Sequence, residues 1–160
     1  MDRIDKILNH DLFLYHLGRN NAAEADRRFC RHSMVHFLDV ARIGTIIALE
    51  EGLKIDREWI YAAALLHDCG KHEQYENGTP HEQASARIAP EILKACGFDD
   101  EETGVIVTAI SRHRDPEAAR EKNLNGILYR ADKASRACFA CDAKKDCNWK
   151  DGKKNLTIKY

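Results

Sequence analysis

Ala62-Ala63-Ala64-Leu65-Leu66-His67-Asp68-Cys69-Gly70-Lys71 is the stretch on which the reading of this chain turns. Its first five residues are small or apolar, so the helix they predict can approach its neighbours closely. His67 and Asp68 stand at the end of that helix. An imidazole and a carboxylate side by side offer a borderline and a hard metal ligand. Gly70 permits a sharp exit, and Lys71 brings a cation to where a phosphate could sit. Alone, a His-Asp pair is common and reads sooner as a ligand-free, solvent-facing helix terminus, so the surrounding sequence has to decide.

Working outward, Asp56 is an N-cap for a helix over Arg57–Asp68. Upstream, an amphipathic helix is expected from about Ala22 to Glu51, with Phe29, Val40, Ile43 and Ile47 on its apolar face and Gly52 as its stop. Before it, Asp2–Leu17 carries Ile4, Ile7, Leu8, Leu12 and Tyr15 at helical spacing, broken near His10. Gly18-Arg19-Asn20-Asn21 reads as a terminator. Downstream, Glu73–Thr79 reads as a polar loop, and Pro80 opens a helix at His81 that Pro90 should kink or restart. Asp99 or Asp100 caps a helix over Glu101–Arg112. Asn123 or Asn125 starts another that runs to about Ala140. The tail Cys141–Tyr160 is weakly patterned, with a hint of strand only at Leu156–Tyr160. The expected fold is all-α, a single compact helical bundle over residues 1–160.

The 160 residues are 44% hydrophobic and 32% charged, a globular balance that excludes a disordered chain. The net charge of −1 gives no global field toward nucleic acid or anionic membrane. No signal-peptide core follows Met1, and no apolar run nears the roughly 20 residues that span a bilayer. The expected location is therefore the cytoplasm, with the six cysteines as thiols or metal ligands rather than disulfides.

Further histidines and aspartates complete a pattern around His67-Asp68. An upstream histidine lies in His36-Phe37-Leu38-Asp39-Val40-Ala41, and a downstream aspartate in Tyr129-Arg130-Ala131-Asp132-Lys133. Together these segments resemble the HD superfamily of metal-dependent phosphohydrolases over about residues 27–136, leaving a cysteine-containing extension over 138–160. His81 and His113 fall where a subset of that superfamily places additional ligands, and the arrangement looks like the two-metal hydrolases of bacterial diadenosine tetraphosphate. Loop spacings and the tail depart from that subset.

The resemblance implies an HD-domain helical bundle. It implies His36, His67, Asp68 and Asp132 on a first divalent ion, with Asp68 bridging to a second held by His81 and His113. Iron or manganese fits such ligands, as do zinc, magnesium, cobalt and nickel. Two ions about 3.5–4 Å apart can clamp a phosphoryl group and acidify a water, so no serine or cysteine nucleophile is needed. Asp68 and Lys71 are the expected catalytic groups. The implied substrate is a small phosphorylated molecule, a nucleotide by resemblance, with neither a membrane nor a specific nucleic acid as partner and a homo-oligomer left open. Two alternatives stand beside hydrolysis: a regulatory nucleotide-binding module and a di-iron oxygenase of the HD fold.

Other residues carry readings of their own. His32 lies four residues before His36, on the same face of the expected helix. It could replace His36 as a ligand, contact phosphate, or lie behind the ligands. Lys71, Arg42, Arg112, Arg114, Lys133 and Arg136 are the candidate phosphate-binding cations, arginine being suited to bidentate contacts. His10, His16 and His72 read as surface or loop residues, and Cys69 as a packing residue. Cys138 and Cys141, one helical turn apart, lie near Cys147. With Cys30 they could hold a structural zinc or an iron–sulfur cluster, or remain buried free thiols. The lysine-rich segment Lys144–Lys159, with Trp149 and Tyr160, reads first as a solvated tail and second as a polyanion or pocket surface.

Overall fold

A computed structural model describes the whole chain, Met1–Tyr160. Its helices are α1 (Asp2–Leu8), α2 (Asp11–Ala23), α3 (Met34–Glu50), α4 (Arg57–Leu66), α5 (Lys71–Glu76), α6 (His81–Ala95), α7 (Asp100–Arg112) and α8 (Leu124–Ala134). Short 3₁₀ turns occupy Pro116–Arg120, Cys138–Ala140 and Asp151–Lys153. The architecture is all-α. The hint of strand at Leu156–Tyr160 is not realised, because its backbone finds no ladder partner.

The small-residue helix is the centre of the molecule. Ile60 and all of Ala62–Leu66 are buried, and α4 packs against α1, α3, α7 and α8. Alanines let those neighbours come close on several sides, while Leu65 and Leu66 fill the gaps. On α3 the inward face is Phe37, Val40, Ala41, Gly44, Ile47 and Ala48. Gly44 is required there: a Cβ would lie 2.9 Å from Ile60 Cγ2 and 3.2 Å from Ile127 Cγ2, where α3 meets α4 and α8. Side-chain caps begin the helices at His10, Asp56, Asp99 and Asn123.

Several boundaries differ from the sequence reading, each for a local reason. Gly18–Asn21 does not stop α2, because Asn20 is a buried bridge rather than a turn residue. The helix expected from Ala22 begins only at Met34, behind Ser33. Between them, Arg27 and Arg31 donate to the carbonyls of Cys30, Arg27 and Ala25, and Glu24 accepts from the His32 backbone. Such side chain–backbone bonds compete with the helical ladder. Phe29 therefore lies exposed rather than on a buried face, and His32 is not on a helix with His36. Most of the expected loop Glu73–Thr79 is taken up by α5. Helix α6 runs through Pro90, held by the buried residues Ile88, Ala89, Ile92 and Leu93 on the face packed to α7. Helix α8 ends at Ala134 rather than near Ala140, where Asn155 Nδ2 donates to the carbonyls of Lys133, Ala134 and Arg136.

One polar node ties three helices. Glu102 and Asp99 form a reciprocal capping box at the start of α7. The Glu102 carboxylate also accepts from Arg3 at 2.7 and 2.8 Å and from Trp59 Nε1 at 2.9 Å. The Arg3 hydrogen bond holds its pKa down at about 2. A depressed carboxyl pKa contributes stability above the unfolded value, near 4.5, that is lost as pH falls toward 2. Glu102→Gln is expected to cost about 1–2 kcal/mol at pH 7, after allowance for screening of a partly solvated group. That gap should close between pH 4.5 and 2 in denaturant titrations; a pH-independent gap would refute the account.

Candidate metal centre

Six side chains from five elements converge below the end of α4. His67 caps α4 and Asp68 follows it; His36 lies in the first turn of α3, His81 begins α6, His113 caps α7 and Asp132 lies in the last turn of α8. Their ligand atoms form two sets, each within 4.8 Å: His36, His67, Asp68 and Asp132, and then Asp68, His81 and His113. The Asp68 carboxylate belongs to both. Its Oδ2 is 3.2 Å from His67 Nε2 and 3.6 Å from His36 Nε2. Its Oδ1 is 3.2 Å from His81 Nε2 and 3.6 Å from His113 Nε2. Asp132 Oδ1 is 3.6 Å from His36 Nε2.

The rings are oriented from behind. His67 Nδ1 donates to the Ala64 carbonyl and His113 Nδ1 to that of Ile110, both at 2.7 Å. His36 Nδ1 meets Ser135 Oγ at 3.2 Å, and that hydroxyl donates to the Asp132 carbonyl. With Nδ1 protonated, each Nε2 presents a lone pair to the centre. His36 Nε2 and His67 Nε2 are 3.3 Å apart, and His81 Nε2 and His113 Nε2 are 3.2 Å apart. Lone pairs facing each other at that spacing repel unless a cation sits between them. Ligands about 2.0–2.1 Å from a shared ion fall at such separations. Asp68 Oδ1 is buried without any hydrogen-bond partner, a costly state for a carboxylate oxygen. The donor set therefore fits one or two divalent ions.

Charge states agree. Burial pushes His81 down to about 3 and His113 to about 4, so both are neutral at pH 7. His67 differs: burial opposes its charge, but the Asp68 and Asp132 carboxylates outweigh burial and raise its pKa, so without an ion it holds a proton that a bound cation would displace from Nε2. Burial raises the Asp68 and Asp132 carboxyls, but neighbouring charges outweigh it and hold both ionised: protonated His67 first for Asp68, and Lys133 first for Asp132.

Local packing fixes the turn that carries Asp68. Asn20 Nδ2 donates to the Asp68 carbonyl at 2.9 Å, and its Oδ1 accepts from His72 N at 2.8 Å. Gly70 is needed for close approach rather than for an unusual backbone angle: a Cβ there would lie 2.7 Å from Ala84 Cβ and 2.8 Å from Ser85 N. Cys69 packs, with burial pushing its thiol up to about 12. His16 and His72 are buried and 2.8 Å apart, so they are not the surface residues their sequence suggests; His10 caps α2.

His32 belongs to neither ligand set. Its Nε2 is 3.7 Å from Asp68 Oδ2, while Nδ1 contacts Glu24 Oε1 at 2.5 Å. Glu24 is itself buried and also accepts from Tyr75. Asn20 and Glu24 have no signature in the sequence, because their roles arise only when α2 docks on the Asp68 turn.

A cleft of about 430 Å³ opens over the centre, with Lys71, Arg114, Lys133 and Arg136 among its walls. Two expected cations are not there. Arg42 is exposed and paired with Asp39, and Arg112 is held by Asp115 and Glu121. Arg27, Arg31 and Lys154 take part instead, as do Asn148 and Trp149. The tail is thus not merely solvated: Trp149 stacks on Arg136, 4.2 Å from its guanidinium carbon. Cys138 and Cys141 are carried by a 3₁₀ turn and the residue after it, not by the end of α8.

Helices gathered around an enclosed His/Asp constellation define an all-α fold with a site able to hold a divalent ion. Residues 34–137 match the HD domain, and the chain belongs to the HD-domain family. Proteins of this family are generally metal-dependent hydrolases. The chain is 49% identical, over the full length of both, to an uncharacterized protein of Clostridium beijerinckii. No solved structure matches it significantly. No helix is long and apolar enough to cross a membrane.

Proposed function

We propose that this chain is a phosphohydrolase acting on a nucleotide, with His36, His67, Asp68 and Asp132 holding one divalent ion and Asp68, His81 and His113 a second. The observation that carries this reading is the Asp68 carboxylate, enclosed, with one oxygen facing each histidine pair and Oδ1 without a partner. When bound, such ions supply charge for a phosphoryl oxygen and lower the pKa of a coordinated water.

The remaining work falls to the protein. His67 and His113, locked by backbone carbonyls, keep Nε2 aimed at the centre without reorganisation. Seven cations line the cleft: Arg27, Arg31, Lys71, Arg114, Lys133, Arg136 and Lys154. Arg114 and Lys154 are paired with Glu82 and Asp151, and Lys133 with Asp132, but Arg27, Arg31, Lys71 and Arg136 have no carboxylate partner; with Asp68 and Asp132 neutralised by the ions, this excess favours a substrate with several phosphate charges. Lys71 lies at the floor, its Nζ 3.1 Å from His81 Nδ1, where it can meet a phosphate oxygen close to the ions. Arginines at the rim suit bidentate phosphate contacts. The cleft volume suits a nucleotide-sized ligand.

The test is turnover of nucleoside monophosphates, cyclic nucleotides and dinucleoside polyphosphates by metal-loaded protein. Product release should be abolished by chelator and restored by manganese or iron. Tight nucleotide binding without turnover would instead mark a regulatory module, and oxygen uptake without phosphate release would mark an oxygenase; either outcome would contradict hydrolysis.

A further inference from the structure

A second group of ligand-type side chains lies beside the histidine centre. Cys30 precedes α3, whereas Cys138, Cys141 and Cys147 follow α8, yet all four border one cavity of about 360 Å³. The two segments are tied there by an Arg28–Asp146 ion pair. All four cysteines lie outside residues 34–137, the part that matches the HD domain. They belong to what this chain adds to its family's fold.

We propose that Cys30, Cys138, Cys141 and Cys147 form a four-thiolate metal centre, filled by a zinc ion or an iron–sulfur cluster, that fixes the C-terminal segment to the helical body.

Three observations carry this. The first is charge. The cavity is bordered by five cations and one carboxylate, Asp39; Arg28 is paired with Asp146 and Lys154 with Asp151, but Arg31, Arg136 and Lys144 have no carboxylate partner. Four neutral thiols gain little from such a wall. Four thiolates around a divalent ion carry a net −2 and match it. The second is Arg136 itself, whose Nη1 is buried without a hydrogen-bond partner while Nε is used on the Lys133 carbonyl. A thiolate near Cys30 would give that donor an acceptor.

The third is the tail's own weakness. Beyond α8 the chain forms only two short 3₁₀ turns and buries a single apolar residue, Ala143, while Phe139, Trp149, Leu156 and Ile158 stay exposed. The ties that do hold it, Asn155 on the end of α8, the Arg28–Asp146 pair and Trp149 on Arg136, are polar or solvent-facing, so a metal crosslink would supply the constraint that its small core does not. The sulfurs are not gathered within 4.8 Å as the histidine ligands are. Zinc–sulfur bonds of about 2.3 Å would draw them to about 3.8 Å from one another, releasing the thiol protons to solvent. Cys138, Cys141 and Cys147 lie outside the α-helices, so the backbone can follow.

The experiment uses the full chain purified anaerobically without added metal. Zinc, iron and acid-labile sulfide are measured in wild type, in His67→Ala and in a Cys138→Ser, Cys147→Ser double variant. The expected result is a metal fraction of about one zinc per chain, or iron with sulfide and a visible charge-transfer band. His67→Ala keeps that fraction and the double variant loses it, which separates this centre from the histidine site. Because the double variant can fail to fold, wild type is also treated with an organomercurial. Release of zinc to a chromogenic chelator, or bleaching of the visible band, supports the centre. No metal released, with the four cysteines alkylated as fast in folded protein as in denaturant, overturns it.

Discussion

Asp68→Ala is expected to lose metal from both ligand sets and to lower phosphohydrolysis by at least about 10³-fold, about 4 kcal/mol of transition-state stabilisation. No other residue is common to the two sets, and it supplies an oxygen to each. Its loss leaves three ligands, His36, His67 and Asp132, for one position and only His81 and His113 for the other. Asp68→Asn is the sharper form of the test. It keeps the volume, so the helices have no cavity to collapse into, but a neutral amide is a poor bridge between two cations. Metal content, turnover and far-ultraviolet circular dichroism are measured together. Loss of metal and activity with helicity retained is the expected outcome. A variant that binds as much metal as wild type and turns over at the same rate would remove Asp68 from the account.

Gly126→Ala should be the most damaging single-methyl change in the chain. A Cβ at Gly126 would lie 1.9 Å from the Glu121 carbonyl oxygen and 2.9 Å from that of Ala118. Both obstacles are backbone, so no rotamer change relieves them, and α8 must shift in its first turn. Overpacking of this kind costs about 3 kcal/mol or more. Because α8 also carries Asp132, the same shift should weaken metal binding. Gly104→Ala is the matched control: that position is exposed on α7 with open space around its Cβ direction. There alanine should raise stability by about 0.5–1 kcal/mol through helix propensity. Denaturant titrations of the two variants check both signs; a Gly126→Ala protein within about 0.5 kcal/mol of wild type would contradict the packing described.

Much of the fold was legible in the sequence because helices announce themselves locally. Asp56, Asp99 and Asn123 sit before runs of apolar residues at helical spacing, and each caps the helix it precedes. Val40, Gly44 and Ala48 mark the buried face of α3. The convergence of His36, His67, Asp68, His81, His113 and Asp132 was legible only through their motif, since no spacing rule predicts where five elements cross. What stayed hidden depends on tertiary partners. Asn20 looks like a helix breaker until the Asp68 carbonyl and His72 amide satisfy its side chain. Residues 24–33 look helical until Glu24 turns back to His32. Arg42 and Arg112 look like phosphate ligands until Asp39, Asp115 and Glu121 are found to occupy them. Trp149 looks like a solvated tail residue until it is found stacked on Arg136 in the cleft wall, with Asn155 anchoring the tail on the end of α8.

Anomalous diffraction from crystals of the metal-loaded protein, recorded at the absorption edge of the bound element, bears most directly on the central claim. Two peaks are predicted, one bounded by His36, His67, Asp68 and Asp132 and one by Asp68, His81 and His113, each about 2.0–2.3 Å from its ligand atoms. Crystals of protein soaked in manganese, iron and zinc that show no peak beside Asp68, while its Oδ1 bonds only to protein or water, would contradict it.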